Sequence, residues 1–143
     1  MVFYFKEIKM QQAASIIVLN KKNDKVLILK RSSHARSNTG VWNFPGGGVE
    51  LEESVIDAAI RELKEETALA TDKRDLIKIC EKQYDNWNVH YFVALTYKGD
   101  VLLNKESLDY KWVNPEKIST IDFLAIPEHL IGAIQGKLIC RPK

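Results

Sequence analysis

The sequence predicts a mixed α/β layered domain, and three observations carry that prediction. Two aliphatic segments, "AASIIVLN" (13–20) and "KVLILKR" (25–31), flank the polar stretch "KKND". An amphipathic helical segment, roughly 54–67, stands near mid-chain, with further strand-like segments after it. A second helical segment, "PEHLIGAIQ" (127–135), comes late. Runs of strands with one strong central helix and one late helix are the pattern of a layered sheet-and-helix fold.

The elements follow in order. "MVFYFKEIKM" is an apolar run broken by Lys6 and Glu7; with no basic leader and no cleavage site, no secretory signal is expected. The first two aliphatic segments are rich in β-branched residues and read as a hairpin around "KKND". The loop "SSHARSNTG" leads into "VWNFPGGGVE", where Pro45 precedes three glycines. In the central helix Ser54 is suited to the N-cap, and Asp57 three residues on approximates a capping box. Ile56, Ile60 and Leu63 recur at i, i+4, i+7 and predict the core-facing stripe. "DLIKICEKQY" and "NVHYFVALTY" read as strands, and "DYKWV" as a shorter one. Pro127 at the N1 position opens the last helix. No repeat or linker interrupts the chain, so one domain over 1–143 is expected.

Composition narrows the function. A chain of 143 residues, 45% hydrophobic and 28% charged, can build a real core. A net charge of +2 argues against nucleic acid, DNA above all, or an anionic membrane as the main partner. Apolar runs such as "SIIVL" are too short to span a bilayer. Cys80 and Cys140, the two cysteines, have no CxxC spacing and read as reduced thiols of a cytoplasmic protein. His34, His90 and His129 are isolated and read as structural or surface residues.

"RELKEET" (61–67) raises a sharper question, because it crowds Glu62, Glu65 and Glu66. At about 100° per residue, Glu66 lies near +40° from Glu62 and Glu65 near −60°. The apolar stripe centres near about +130°, so the acidic face is expected to be distinct from the core face. A solvated acidic face is the ordinary reading of such a trio. Against it, like charges at i, i+4 weaken a helix by roughly 0.2–0.5 kcal/mol per pair. An anion at Glu66 also opposes the dipole near the helix C-terminus. Lys64 lies off the arc. A hard divalent ion such as Mg²⁺ takes oxygen ligands and would relieve the crowding. The glycines of "PGGG" (45–48), just before the helix, let the backbone approach an ion or phosphate closely.

These residues form a pattern. Gly47, five residues, Glu53, seven residues, Arg61-Glu62-Leu63, Lys64, Glu65-Glu66, Thr67, Ala68 and Leu69 resemble the signature of the Nudix hydrolase family. Every defined position matches except Ala68, where the family has glycine. "LKR", "WNFPGG", "YFVALTY" and "YKWVNPEKI" extend the resemblance over roughly 11–135. It implies a Nudix-type α/β/α sandwich with a mixed β-sheet. The family glycine sits just past the helix in left-handed backbone; Ala68 either takes that conformation, at a cost of roughly 1–2 kcal/mol, or the helix ends differently here.

The resemblance also implies roles. Glu62, Glu65 and Glu66, with the carbonyl of Gly46, would hold Mg²⁺, for which Mn²⁺ can substitute. Glu65 is the favoured general base, and Glu106 is an outside candidate for a metal-binding or basic role. Arg61 and Glu53 would form a supporting salt bridge, which makes Glu53, Arg61, Glu62 and Glu65 the catalytic set. For the substrate, Lys30 and Arg31 are candidate phosphate contacts, beside Gly47 of the glycine loop. Phe44 and Trp87 lead the aromatics as candidate base-stacking groups, ahead of Trp42, Tyr84 and Tyr91. The implied activity is Mg²⁺-dependent cleavage of the pyrophosphate linkage in a nucleoside diphosphate joined to another group. A nucleoside triphosphate or a nucleotide sugar leads. The alternatives are an RNA 5′-end pyrophosphohydrolase and a catalytically silent nucleotide-binding domain. "LAIPE" (124–128) lacks the asparagine by which MutT-type members read oxidised guanine. Family members are often dimers, so a homodimer is admitted, although no exposed patch is readable.

Overall fold

Ile16, Ile17, Val18 and Leu19 are apolar without alternation because both faces of their strand are covered, and all four are buried. A computed structural model describes residues 10–33 and 39–139, and of 137–139 the backbone alone. Residues 1–9 of the N-terminal segment, His34 and Cys140 lie outside the described residues.

The first strand, β1 (Gln11–Asn20), turns back into β2 (Lys25–Arg31). Two short strands follow, β3 (Trp42–Asn43) and β4 (Gly46–Gly48), then helix α1 (Val55–Thr67). Strands β5 (Leu76–Tyr84), β6 (Trp87–Ala94) and β7 (Ser107–Val113) lead to helix α2 (Leu130–Ile139). The sheet runs β3-β2-β1-β6-β5, with β4 beside β1 and β7 beside β2. β1 and β6 are parallel over Gln11–Val18 and Trp87–Ala94, and the other pairings are antiparallel, so the sheet is mixed.

Helices cover opposite faces of this sheet. Ala58, Ala59 and Leu63 of α1 pack on Ala14, Ile16 and Phe92. Leu130 and Ile134 of α2 pack on Ile17, Ile28 and Val93. The result is the expected sandwich. Among the described residues no helix is long and apolar enough to cross a membrane.

Several local expectations are corrected. The triple glycine is a strand rather than a plain loop: Gly46, Gly47 and Gly48 pair with Ser15, Ala14 and Ala13. It takes the edge of β1 that β2 leaves, since β1 and β2 pair only at Leu19–Val26 and Asn20–Lys25. Helix α2 begins at Leu130, and Pro127 stands in the turn before it, its carbonyl accepting from the Leu130 N–H at 3.0 Å. Upstream of that turn, the Leu124 N–H bonds the Trp42 carbonyl at 2.9 Å. β7 starts at Ser107, earlier than "DYKWV" suggests, through pairing of Ser107 with Arg31.

Candidate functional site

Ser54 caps α1 by accepting from the Asp57 N–H at 3.1 Å, and the helix carries its acidic residues beneath the glycine strand β4. The cleft between them is about 880 Å³, within the size range of small-molecule sites. Glu62, Glu65, Glu66 and Glu106 line it, together with Gly46, Gly47, Gly48, Arg31 and Trp87.

Glu66 corrects the expected separation of acidic and core faces: it is only 6% exposed. Lying between Glu62 and the apolar stripe around the helix, it turns its carboxylate inward to accept the Gly46 N–H at 2.7 Å. Burial pushes its carboxyl up to about 8, against the opposing Gly46 hydrogen bond. Burial also raises Glu62, with Arg61 opposing. Gly47 leaves the space that Glu62 fills, since a Cβ there would lie 2.5 Å from its carboxyl carbon.

The crowding already has an internal cation. Arg61 grips Glu53 with two bonds, Nε to Oε2 at 2.8 Å and Nη2 to Oε1 at 2.9 Å. Its Nη2 also donates to the Gly48 carbonyl at 3.0 Å, and its Nη1 to Glu62 at 2.9 Å and Glu65 at 3.2 Å. Sequence reasoning anticipated the Glu53 pair and missed the last two, although Arg61 sits at the edge of the acidic arc. The Arg61 guanidinium holds the Glu53 carboxyl below its usual range, and Glu53 in turn raises Arg61.

The donor set suits a hard divalent cation: four carboxylates and the glycine backbone offer oxygen only. Two of the carboxylates are partly or fully desolvated and repel one another, which a cation would offset. Among the described residues no three His, Cys, Asp or Glu side chains stand close enough to cage an ion as they are. Arg61 and the Gly46 N–H are their partners.

A second, more apolar chamber of about 400 Å³ adjoins the cleft, walled by Phe44, Tyr84, Trp87, Tyr91, Phe123 and Ile126. Arg31, Asn43, Gly46, Gly47 and Trp87 line both spaces. Trp87 is 37% exposed at the start of β6. Phe44 is buried, edge-on to Phe123 at 5.0 Å. The Tyr84 and Tyr91 hydroxyls are 3.0 Å apart, and burial raises both phenols. Asn43, its amide turned to suit both neighbours, donates to Leu29 O and accepts from Arg31 Nη1 at 3.2 Å. Lys30 lines neither space; it is next to Arg31 in β2, where successive side chains point to opposite faces. Trp42 belongs to the core, with Lys111 over its ring at 5.1 Å.

Ala68 has φ 66°, ψ 1°, the left-handed conformation expected of the family glycine. Its N–H closes the helix on the Lys64 carbonyl at 3.0 Å. Asn43 and Asn104, which also lines the acidic cleft, escaped sequence reasoning. Asn43 lies within "WNFPGG" but nothing local singled it out, and Asn104 lies in a loop; the fold brings both in.

The family model for the NUDIX domain matches residues 9–131. The chain is 40% identical over 80 residues to the m7GpppN-mRNA hydrolase NUDT17 of Danio rerio, covering 56% of this chain and 26% of that protein. It is 28% identical over 142 residues to the nucleoside triphosphatase NudI of Salmonella paratyphi B, covering 90% of this chain and 100% of that one. The chain spans 26% of the length of that Danio rerio protein and 28% of that of another curated relative, the putative nudix hydrolase 1 of Caenorhabditis elegans. The solution structure of the E. coli ORF135 protein shares the fold, with TM-score 0.74, 22% identity and 94% of each chain covered.

Proposed function

The chain belongs to the Nudix family, and from that premise we propose that it is a Mg²⁺-dependent hydrolase. It cleaves the pyrophosphate linkage of a nucleoside diphosphate joined to another group. A nucleoside triphosphate or a nucleotide sugar is the leading substrate, and the cytoplasm the location. The observation that carries the reading is the junction of two unlike chambers. A carboxylate-lined cleft meets an aromatic-walled one, and Arg31 and Gly46–Gly48 lie at or beside the join. A nucleotide has that same polarity, a charged phosphate end and a flat apolar one.

Glu62, Glu65, Glu66, Glu106 and the Gly46 carbonyl would hold Mg²⁺, with Mn²⁺ able to replace it. A bound divalent cation supplies charge neutralisation to a diphosphate and makes water more acidic. The chain's own residues do the rest. Arg61 fastens Glu53 to α1 and to the Gly48 carbonyl, which fixes β4 over the glutamates. Glu65, solvent-exposed at the cleft, takes the proton of the attacking water on a carboxylate oxygen. Arg31 binds a phosphate oxygen, oriented by Asn43. Trp87 and Phe44 bound the space for the base.

The test incubates the protein and Mg²⁺ with nucleoside triphosphates, nucleotide sugars, dinucleotides and 5′-triphosphorylated RNA, and identifies the products. Hydrolysis at a pyrophosphate linkage, lost in Glu65→Gln and in EDTA, is the expected result. Intact compounds that nonetheless bind would replace this reading with a silent nucleotide binder.

A further inference from the structure

The loop after β6 brings Glu106 to the acidic cleft, although nothing in its own sequence would fix it there. It is exposed, and it sits 40 residues beyond Glu66 in the chain. One side chain bridges the gap. Asn104 Nδ2 donates to the backbone carbonyl of Glu65 at 3.1 Å, and Asn104 Oδ1 accepts from the Glu106 N–H at 3.0 Å.

The Glu65 carbonyl has room for this donor. In a continuing helix it would accept from the Leu69 N–H. That N–H instead bonds Thr67 Oγ1 at 3.1 Å, because the helix ends at Ala68. An amide side chain is suited to the task, since it donates to a carbonyl and accepts from an N–H at once. Neighbouring bonds complete the frame. Leu102 N–H donates to the Thr67 carbonyl at 2.8 Å, and Ser32 N–H to the Glu106 carbonyl at 2.9 Å. Ser32 Oγ donates to the Lys105 carbonyl at 2.6 Å. The Glu106 carbonyl is therefore held by Ser32, just past β2, and the Glu106 N–H is tied to α1 through Asn104.

We propose that Asn104 is a positioning residue that sets Glu106 against Glu65 across the acidic cleft. This rests on the reading of Glu106 as a member of the cation-holding set. Asn104 itself need not touch substrate. Its effect passes through the placement of Glu106 and the last turn of α1.

A double-mutant cycle tests it, using Mn²⁺ binding measured by electron paramagnetic resonance beside kcat and KM for the preferred nucleotide. The four proteins are wild type, Asn104→Ala, Glu106→Gln and the double variant. Asn104→Ala is expected to weaken Mn²⁺ binding and lower kcat, each roughly tenfold or more, with little change in KM. In the Glu106→Gln background the same change is expected to add less than about twofold, because the group it positions is already gone. Full additivity would overturn the proposal, and so would an Asn104→Ala variant that behaves as wild type while Glu106→Gln is impaired. If Glu106→Gln is itself without effect, the assignment of Glu106 fails and the inference falls with it. Should Asn104→Ala not fold, Asn104→Ser enters the same cycle.

Discussion

A methyl group on Gly47 asks whether the Glu62 carboxylate must stand where it does. A Cβ built there lies 2.5 Å from the Glu62 carboxyl carbon and 2.6 and 2.8 Å from its oxygens, where ordinary contact begins at 3.4 Å. The carboxyl group must withdraw by roughly 1 Å. What it meets is the end of a flexible side chain, so the backbone can stay in place and Tm should move by less than about 2 °C. Activity is expected to suffer far more. A misplacement of about 1 Å in a catalytic group is worth on the order of 100-fold, and the bond to Arg61 is disturbed as well. Gly46→Ala is the contrasting variant, because its Cβ runs into the backbone carbonyl oxygen of Ala14. That clash cannot be relieved by a rotamer, so Gly46→Ala should lose stability as well as activity. The assays are kcat/KM in Mg²⁺ and thermal unfolding of both variants. Full activity in Gly47→Ala would refute the argument. A loss of Tm in Gly47→Ala equal to that in Gly46→Ala would show that the backbone, not Glu62, needs the glycine.

Ala68→Gly should raise stability by roughly 1 kcal/mol, or about 3 °C in Tm, after the greater freedom of glycine in the unfolded chain is subtracted; the motivating conformation is φ 66° at Ala68. Glu66 has its carboxyl pushed from an ordinary 4.5 up to about 8. Between those values the folded state keeps a proton that the unfolded state has released, so the metal-free protein should lose stability as pH rises through that window. Melting in EDTA across that range should show the decline, and Glu66→Gln should flatten it. Trp87→Ala should raise KM roughly tenfold with kcat little changed, which steady-state kinetics will read directly.

The layers of the fold were legible because their signals are local. Continuous aliphatic runs marked β1 and β2, and the Ser54 cap with its periodic apolar residues marked α1. The glycine strand was not legible, since three glycines carry no side-chain pattern and Gly46–Gly48 are strand only through pairing with Ala13–Ser15. Pro127 misled because proline suits a turn as well as the first position of a helix, and here its carbonyl closes the turn that precedes α2. At the site, spacing alone gathered Glu53, Arg61, Glu62, Glu65 and Glu66 on one helix and its approach. It did not foresee that Glu66 would be buried, because an angular argument places a Cβ and not the end of a long side chain. Asn43 and Asn104 reach the site only through strand pairing and loop closure, which leave no periodic trace.

The most direct test of the central claim is hydrolysis of the preferred nucleotide as a function of Mg²⁺ concentration, in wild type and in Glu62→Gln, Glu65→Gln and Glu66→Gln. The account predicts saturable dependence on Mg²⁺ in the wild type, no turnover in EDTA, and a loss of at least roughly tenfold in each variant. Turnover that persists in EDTA, or that survives all three substitutions, would contradict the assignment of the acidic cleft as the catalytic centre.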